Sequence, residues 1–153
     1  MRIYIPLTAS DLTKDSLVSQ GVHAVTPDLK RAVQEDEEGY EYIAMLSAAD
    51  DSLRLLGGRD GEVRRRIVAV ANVDNSALEL PAKGEDVLPT FMYLIAPVAW
   101  KKVESIHVDE PGSEGLVEKA IADDEDAFLA TGDIDLMWYD VVERKALASE
   151  LNG

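Results

Sequence analysis

Residues 36–73, DEEGYEYIAMLSAADDSLRLLGGRDGEVRRRIVAVANV, hold the two elements that decide the fold. In the first part Tyr42, Leu46, Ala49, Leu53 and Leu56 recur at four-three spacing, the period that places side chains on one face of an α-helix. Glu35, Asp36, Glu37 and Glu38 crowd its start, Arg54 stands in its last turns, and Gly57-Gly58 follow. The charges suit the helix dipole and the glycines supply the stop. A helix from Asp36 to Leu56 is predicted, with Tyr42 in the core. In the second part Ile67 to Val73 is a continuous apolar run rich in Val and Ala, expected for a central strand covered on both faces.

Upstream, Ile3, Ile5 and Leu7 alternate with Arg2, Tyr4 and Pro6, which predicts a first strand of period two. Thr8 with Asp11 resembles a capping box and predicts a helix that Gly21 ends. Val22-His23-Ala24-Val25 reads as a short strand, and Thr26-Pro27 as an N-cap with proline at the first position of a helix reaching Gln34. Downstream, Asn75 to Asp86 is a loop, Thr90 to Ile95 a strand, and Ala96 to Lys102 a turn or short helix. Val103 to Val108 is a strand with Val103, Ser105 and His107 on one face. Pro111-Gly112-Ser113 caps a helix with Leu116, Val117, Ala120 and Ile121 inward, and Asp123 to Ala130 a second short one. Leu136 to Val142 is the last strand, with Trp138 in the core, and the remainder is a terminal helix expected to fray.

The mixed order of strands and helices predicts an α+β fold over residues 1–153 as one domain, with a mixed sheet and helices mainly on one face. The run Arg2-Ile3-Tyr4-Ile5-Pro6 then His23-Ala24-Val25-Thr26-Pro27 is echoed by Met92-Tyr93-Leu94-Ile95-Ala96-Pro97 then His107-Val108-Asp109-Glu110-Pro111. This order also admits two ferredoxin-like half-repeats, 1–74 and 88–153.

Thirty acids against fifteen bases give a formal net charge of −15, which repels nucleic acid and anionic membranes and favours solubility or a basic partner. The absence of cysteine excludes disulfides, thiol nucleophiles and thiolate metal sites. Met1 to Leu7 reads as neither a signal peptide nor a membrane span, so a cytoplasmic protein is expected. The charge is segregated: Arg54, Arg59, Arg64, Arg65 and Arg66 crowd one stretch, whereas Asp109 to Asp140 carries eleven acids and only Lys119. Two such patches suit a two-fold dimer in which each meets its opposite on the other copy.

Met1 to Thr8, His23 to Pro27, Glu38 with Glu41-Tyr42, Ala48-Ala49 with Ser52-Leu53, His107-Val108-Asp109 and Trp138-Tyr139 together resemble an uncharacterised actinobacterial family of small acidic proteins, a domain of unknown function. The resemblance implies no activity, ligand or partner.

His23 and His107 are the two histidines, each ahead of a proline-marked turn, and imidazole suits acid–base work or metal binding. Only Asp109 stands obviously beside His107, so a ring hydrogen-bonded at a strand end is the better reading and no metal or cofactor is expected. Asp109-Glu110, Asp123 to Asp126 and Asp133-x-Asp135 lack the EF-hand pattern and read as a solvated face. Arg59, Arg64, Arg65 and Arg66 could fork onto an anion or a partner, with ion pairing inside the chain or between subunits placed first. Gly57 to Gly61 lacks the lysine of a P-loop, and no serine sits in a nucleophile elbow.

The leading expectation is a non-enzymatic binding or protein-interaction domain that associates with itself or another protein. The alternative is a small-molecule binder or enzyme with a cleft lined by Tyr4, His23, Glu41, His107 and Trp138.

Overall fold

In the computed structural model, which describes residues 1–153, the run Ile67–Asn72 is a strand buried on both faces as far as Ala71. Numbered along the chain, the strands are β1 (Arg2–Leu7), β2 (Ser16–Leu17), β3 (Gly21–His23), β4 (Ile67–Asn72), β5 (Leu78–Glu79), β6 (Phe91–Leu94), β7 (Val98–Ala99), β8 (Val103–Asp109) and β9 (Leu136–Asp140). The α-helices are α1 (Pro27–Ala32), α2 (Glu37–Gly57), α3 (Glu114–Ile121), α4 (Glu125–Ala130) and α5 (Arg144–Asn152). Seven strands form one sheet in the order β5-β6-β3-β1-β4-β8-β9, and β2 pairs with β7 in a separate ribbon. The fold is α+β.

Strand alternation divides the interior. Ile3, Ile5 and Leu7 of β1, Ile67, Ala69 and Ala71 of β4, and Ile106 and Val108 of β8 meet Leu147, Ala148 and Leu151 of α5 and the β2–β7 ribbon. On the opposite face Tyr4, Val68 and Val70 meet Ala44, Ala48 and Ala49 of α2. Leu53 and Leu56 at the end of α2 extend this layer to Val117 and Ala120 of α3 and Ala127 of α4.

Asp36 caps α2, its carboxylate accepting from the Gly39 N–H at 2.8 Å. Alanines beneath α2 let the helix lie close to the sheet, and Ser52 joins the two layers. Its Oγ donates to the Leu7 carbonyl at 2.7 Å and accepts from the Ile67 N–H at 2.9 Å. Thr26 caps α1 as its sequence requires, accepting from the Leu29 N–H at 3.0 Å.

Several expectations are corrected. Every strand pair is antiparallel, so the sheet is not mixed in direction. The ferredoxin-like repeat has no counterpart in the pairing: β1 bonds β3, whereas β3, β1 and β4 separate β6 from β8. Residues 8–20 make only a 3-10 turn at Ala9–Thr13 and then β2, and β3 begins at Gly21. Thr, Ser and Asp side chains there bond the local backbone, as when Thr13 Oγ1 donates to the Ser10 carbonyl at 2.7 Å, and compete with a helix.

Tyr42 and Trp138 lie outside the core at 58% and 62% exposure. Ala49, Leu53 and Leu56 of the predicted stripe are buried, but in the first half of α2 Tyr40 and Ala44 take the inner face in place of Tyr42 and Leu46. A register shift opposite Val70 and Ala71 turns Val103 to the α5 side, away from Ser105 and His107. The C-terminal helix docks: Leu147, Ala148 and Leu151 are buried, and Asn152 Nδ2 donates to the Ala9 carbonyl at 2.9 Å.

Candidate functional site

The register explains how the candidate side chains are distributed. Tyr4 stands opposite both Val70 and His23, and His107 opposite both Val68 and Trp138. Alternation therefore puts Tyr4, His23, His107 and Trp138 on the face that α2 covers, and Glu41 hangs from α2 above them. They divide into separate neighbourhoods.

Around Tyr4, burial and then the Glu41 carboxylate beside it push the phenol up to about 12. Arg2 Nη1 reaches Glu41 at 3.1 Å and Nη2 reaches Glu104 at 3.5 Å. His107 Nε2 lies 2.9 Å from Ser105 Oγ, and burial, with the Arg2 charge, holds the imidazole down at about 4. At neutral pH this ring is uncharged and donates no extra proton.

The sign of the resulting pH dependence is definite. Between about 6.5 and about 4 the unfolded chain binds a proton that folded His107 refuses, so its contribution to stability is complete above this window and lost as pH falls through it. His107→Gln is expected to lose less stability than the parent between pH 7 and pH 4, read from urea midpoints. Parallel losses in the two proteins would contradict this.

His23 is enclosed and belongs to a different group. Its Nδ1 lies 2.7 Å from Thr90 Oγ1 and its Nε2 2.6 Å from Asp51 Oδ2, while Asp51 Oδ1 accepts from Arg54 Nη1 at 2.7 Å. Burial opposes ionisation of Asp51, but hydrogen bonds from His23 and Arg54 outweigh it and hold the carboxyl below its usual range. A hydroxyl, an imidazole and a carboxylate in line suggest a nucleophile, but both His23 and Thr90 are 1% exposed. The line instead ties α2 to β3 and to the start of β6.

Beside it runs an open groove of about 430 Å³, lined by Pro6, Gly21, Arg54, Leu55, Phe91 and Tyr93 among others. A Cβ on Gly21 would stand 2.2 Å from the Phe91 ring, so glycine is what lets that ring lie across β3. Tyr4, His23, Glu41, His107 and Trp138 do not line this groove. No three carboxylates or imidazoles converge to hold a metal ion.

The arginines turn inward onto their own chain. Arg59 Nη1 donates to Thr8 Oγ1 at 2.8 Å and Asp11 Oδ2 at 2.9 Å. Arg64 Nε donates to Glu118 Oε2 and its Nη1 to the Leu56 carbonyl, both at 2.7 Å. Arg65 Nε donates to the Asp109 carbonyl at 2.8 Å, and Arg66 forks onto the Asp109 carboxylate with both groups fully buried. The basic stretch thus meets acidic residues, Asp109 and Glu118 of the acidic stretch among them, within one molecule.

The open part of this face is its last strand. β9 has a neighbour only in β8, and it exposes Trp138 and Met137 on its two sides. Leu136 half-covers the α2 layer and Tyr139 the α5 layer, so the strand is anchored while its tip side chains are free. Asp51, Thr90 and Met137 were missed from sequence. Asp51 and Arg54 sit three apart on a helix, which suggests a local pair, but nothing local points Asp51 at His23.

No helix is long and apolar enough to cross a membrane. A family model described as a family of unknown function (DUF6912) matches residues 1–148. No curated protein and no solved structure matches.

Proposed function

We propose, for a chain that belongs to this family of unknown function, that residues 1–153 act as one non-enzymatic protein-interaction domain whose contact surface centres on β9. The observation that carries this reading is an apolar edge strand left open, with Trp138 62% and Met137 41% exposed. A strand edge that carries exposed aromatic and apolar side chains is a template for pairing with another chain. The inaccessible Thr90 and the neutral, half-buried His107 weigh against the enzyme alternative. The family resemblance supports an actinobacterial source, and the acidic, cysteine-free composition supports a cytoplasmic setting.

The test replaces Trp138 with a photo-crosslinking phenylalanine analogue in the full chain within its own cells. One dominant adduct is expected that re-forms from the two purified proteins and is absent when the label is moved to the exposed Val18. Equal labelling from both positions would overturn the reading.

A further inference from the structure

The geometry points to β-strand addition: β9 takes an extended segment of a basic partner, paired to the backbone of Leu136 and Trp138. This rests on the reading of β9 as an interaction surface and adds the mode of binding and the chemistry of the partner.

The pairing on the inner side of β9 decides which groups are free on the outer side. The Glu110 N–H donates to the Asp135 carbonyl at 2.9 Å, one step beyond the paired run from Asp109↔Leu136 to Ser105↔Asp140. In an antiparallel ladder, bonded and non-bonded pairs alternate. Asp135, Met137 and Tyr139 therefore aim their backbone groups at β8, and Leu136, Trp138 and Asp140 aim theirs off the sheet. On β8 the same alternation has Asp109 bonding the other way, and its N–H indeed reaches the Arg66 carbonyl at 3.0 Å.

One end of the open ladder is already closed, because the Asp140 N–H donates to Glu143 Oε2 at 2.9 Å. Leu136 and Trp138 remain, each with an N–H and a carbonyl facing outward. This is a ladder of two residues, and exposed Trp138 and Met137 offer an apolar contact on either side of an incoming strand.

Charge selects the occupant. Residues 120–143 carry eight carboxylates and neither Lys nor Arg, so β9 lies within a wholly acidic stretch of chain. The arginines that might have balanced it are held on Asp11, Asp109 and Glu118. A second copy would bring the same acidic stretch against itself, whereas an apolar strand flanked by Lys or Arg would gain complementary charge.

The test uses the isotopically labelled full chain and three short peptides. One has alternating Val and Thr between pairs of lysines; the second has glutamates in place of the lysines; the third is the first with every second amide N-methylated. The lysine peptide is expected to bind in a salt-sensitive manner, slow amide exchange at Leu136 and Trp138 by about ten-fold or more, and bind at least about ten-fold more tightly than the others.

Equal binding of the glutamate peptide would overturn the basic partner. Binding that survives N-methylation, or that leaves those two amides unprotected, would overturn strand addition. A salt-stable dimer with the same protection in the absence of peptide would assign the edge to a second copy and overturn the proposal. A lysine peptide that does not bind, while the adduct at position 138 still re-forms from purified proteins, would overturn this inference and leave the interaction reading standing.

Discussion

Replacing Asp109 with alanine is expected to destabilise the protein by about 3–5 kcal/mol, because the substitution strands a charge in the interior. Asp109 is 0% exposed and Arg66 1%. The carboxylate accepts from Arg66 Nε at 2.9 Å, from Nη2 at 2.9 Å and from the Arg66 backbone N–H at 2.8 Å, so its loss removes three donors' partner at once. The guanidinium would keep only the Thr131 carbonyl at 3.0 Å. Both groups lie at the junction of β4, β8 and the turn after α4, out of contact with solvent.

The pair is not thereby a net source of stability. An apolar pair of matching volume, Arg66→Met with Asp109→Leu, is expected to recover only part of the loss, since it removes the stranded charge but leaves the Arg66 backbone N–H and the Thr131 carbonyl without partners. Urea denaturation of the single and double variants checks both statements. A single Asp109→Ala cost below about 1 kcal/mol would show that the interior there relaxes and admits water.

The second large effect is expected at Ser52. Its hydroxyl donates to Leu7 and accepts from Ile67, whose backbones lie at the paired ends of β1 and β4, and all three residues are buried. Ser52→Ala leaves one carbonyl and one N–H without a partner, and each such orphan costs about 1–3 kcal/mol, so a loss of about 2–6 kcal/mol is expected. Ser47→Ala is the control. Its Oγ bonds the Ile43 carbonyl within α2 and is half-exposed, so its loss should stay within about 0.5 kcal/mol. Equal effects at the two serines in thermal or urea unfolding would show that the bridge from helix to sheet contributes nothing particular.

Both residues show where sequence reading stops. Ser52 sits on the predicted helix among small residues, and nothing local shows that its hydroxyl bonds Leu7 and Ile67 until β1 and β4 are placed beneath it. Arg66 reads as one of five arginines available to a partner, yet the position directly before a buried strand carries it inside. Asp109 reads as one acid of a solvated face, yet it ends β8 opposite Arg66. The two lie 43 residues apart, and no local pattern links them.

Tyr42 and Trp138 erred for a related reason. An apolar period identifies the strip of an element able to face a core, but the rotation of α2 over the sheet decides which strip does. Tyr40 and the alanines won that place because small side chains permit close approach. Trp138 alternates correctly with Leu136, yet alternation reports a face and not a position in the strand order, and an edge strand covers less of its face than a central one.

What the sequence determined by itself is what neighbours along the chain settle: the cap at Thr26, the acidic start of α2 and its stop at Gly57-Gly58, the alternation of β1 and the two-sided burial of β4. Those features follow from backbone geometry and burial within a few residues. The tertiary structure alone decided the all-antiparallel order, the enclosure of His23 by Thr90 and Asp51, the inward turn of the arginines and the exposure of β9. Each of these depends on which distant segment arrives alongside, a choice made by the packing of the whole chain, which no local run of residues encodes.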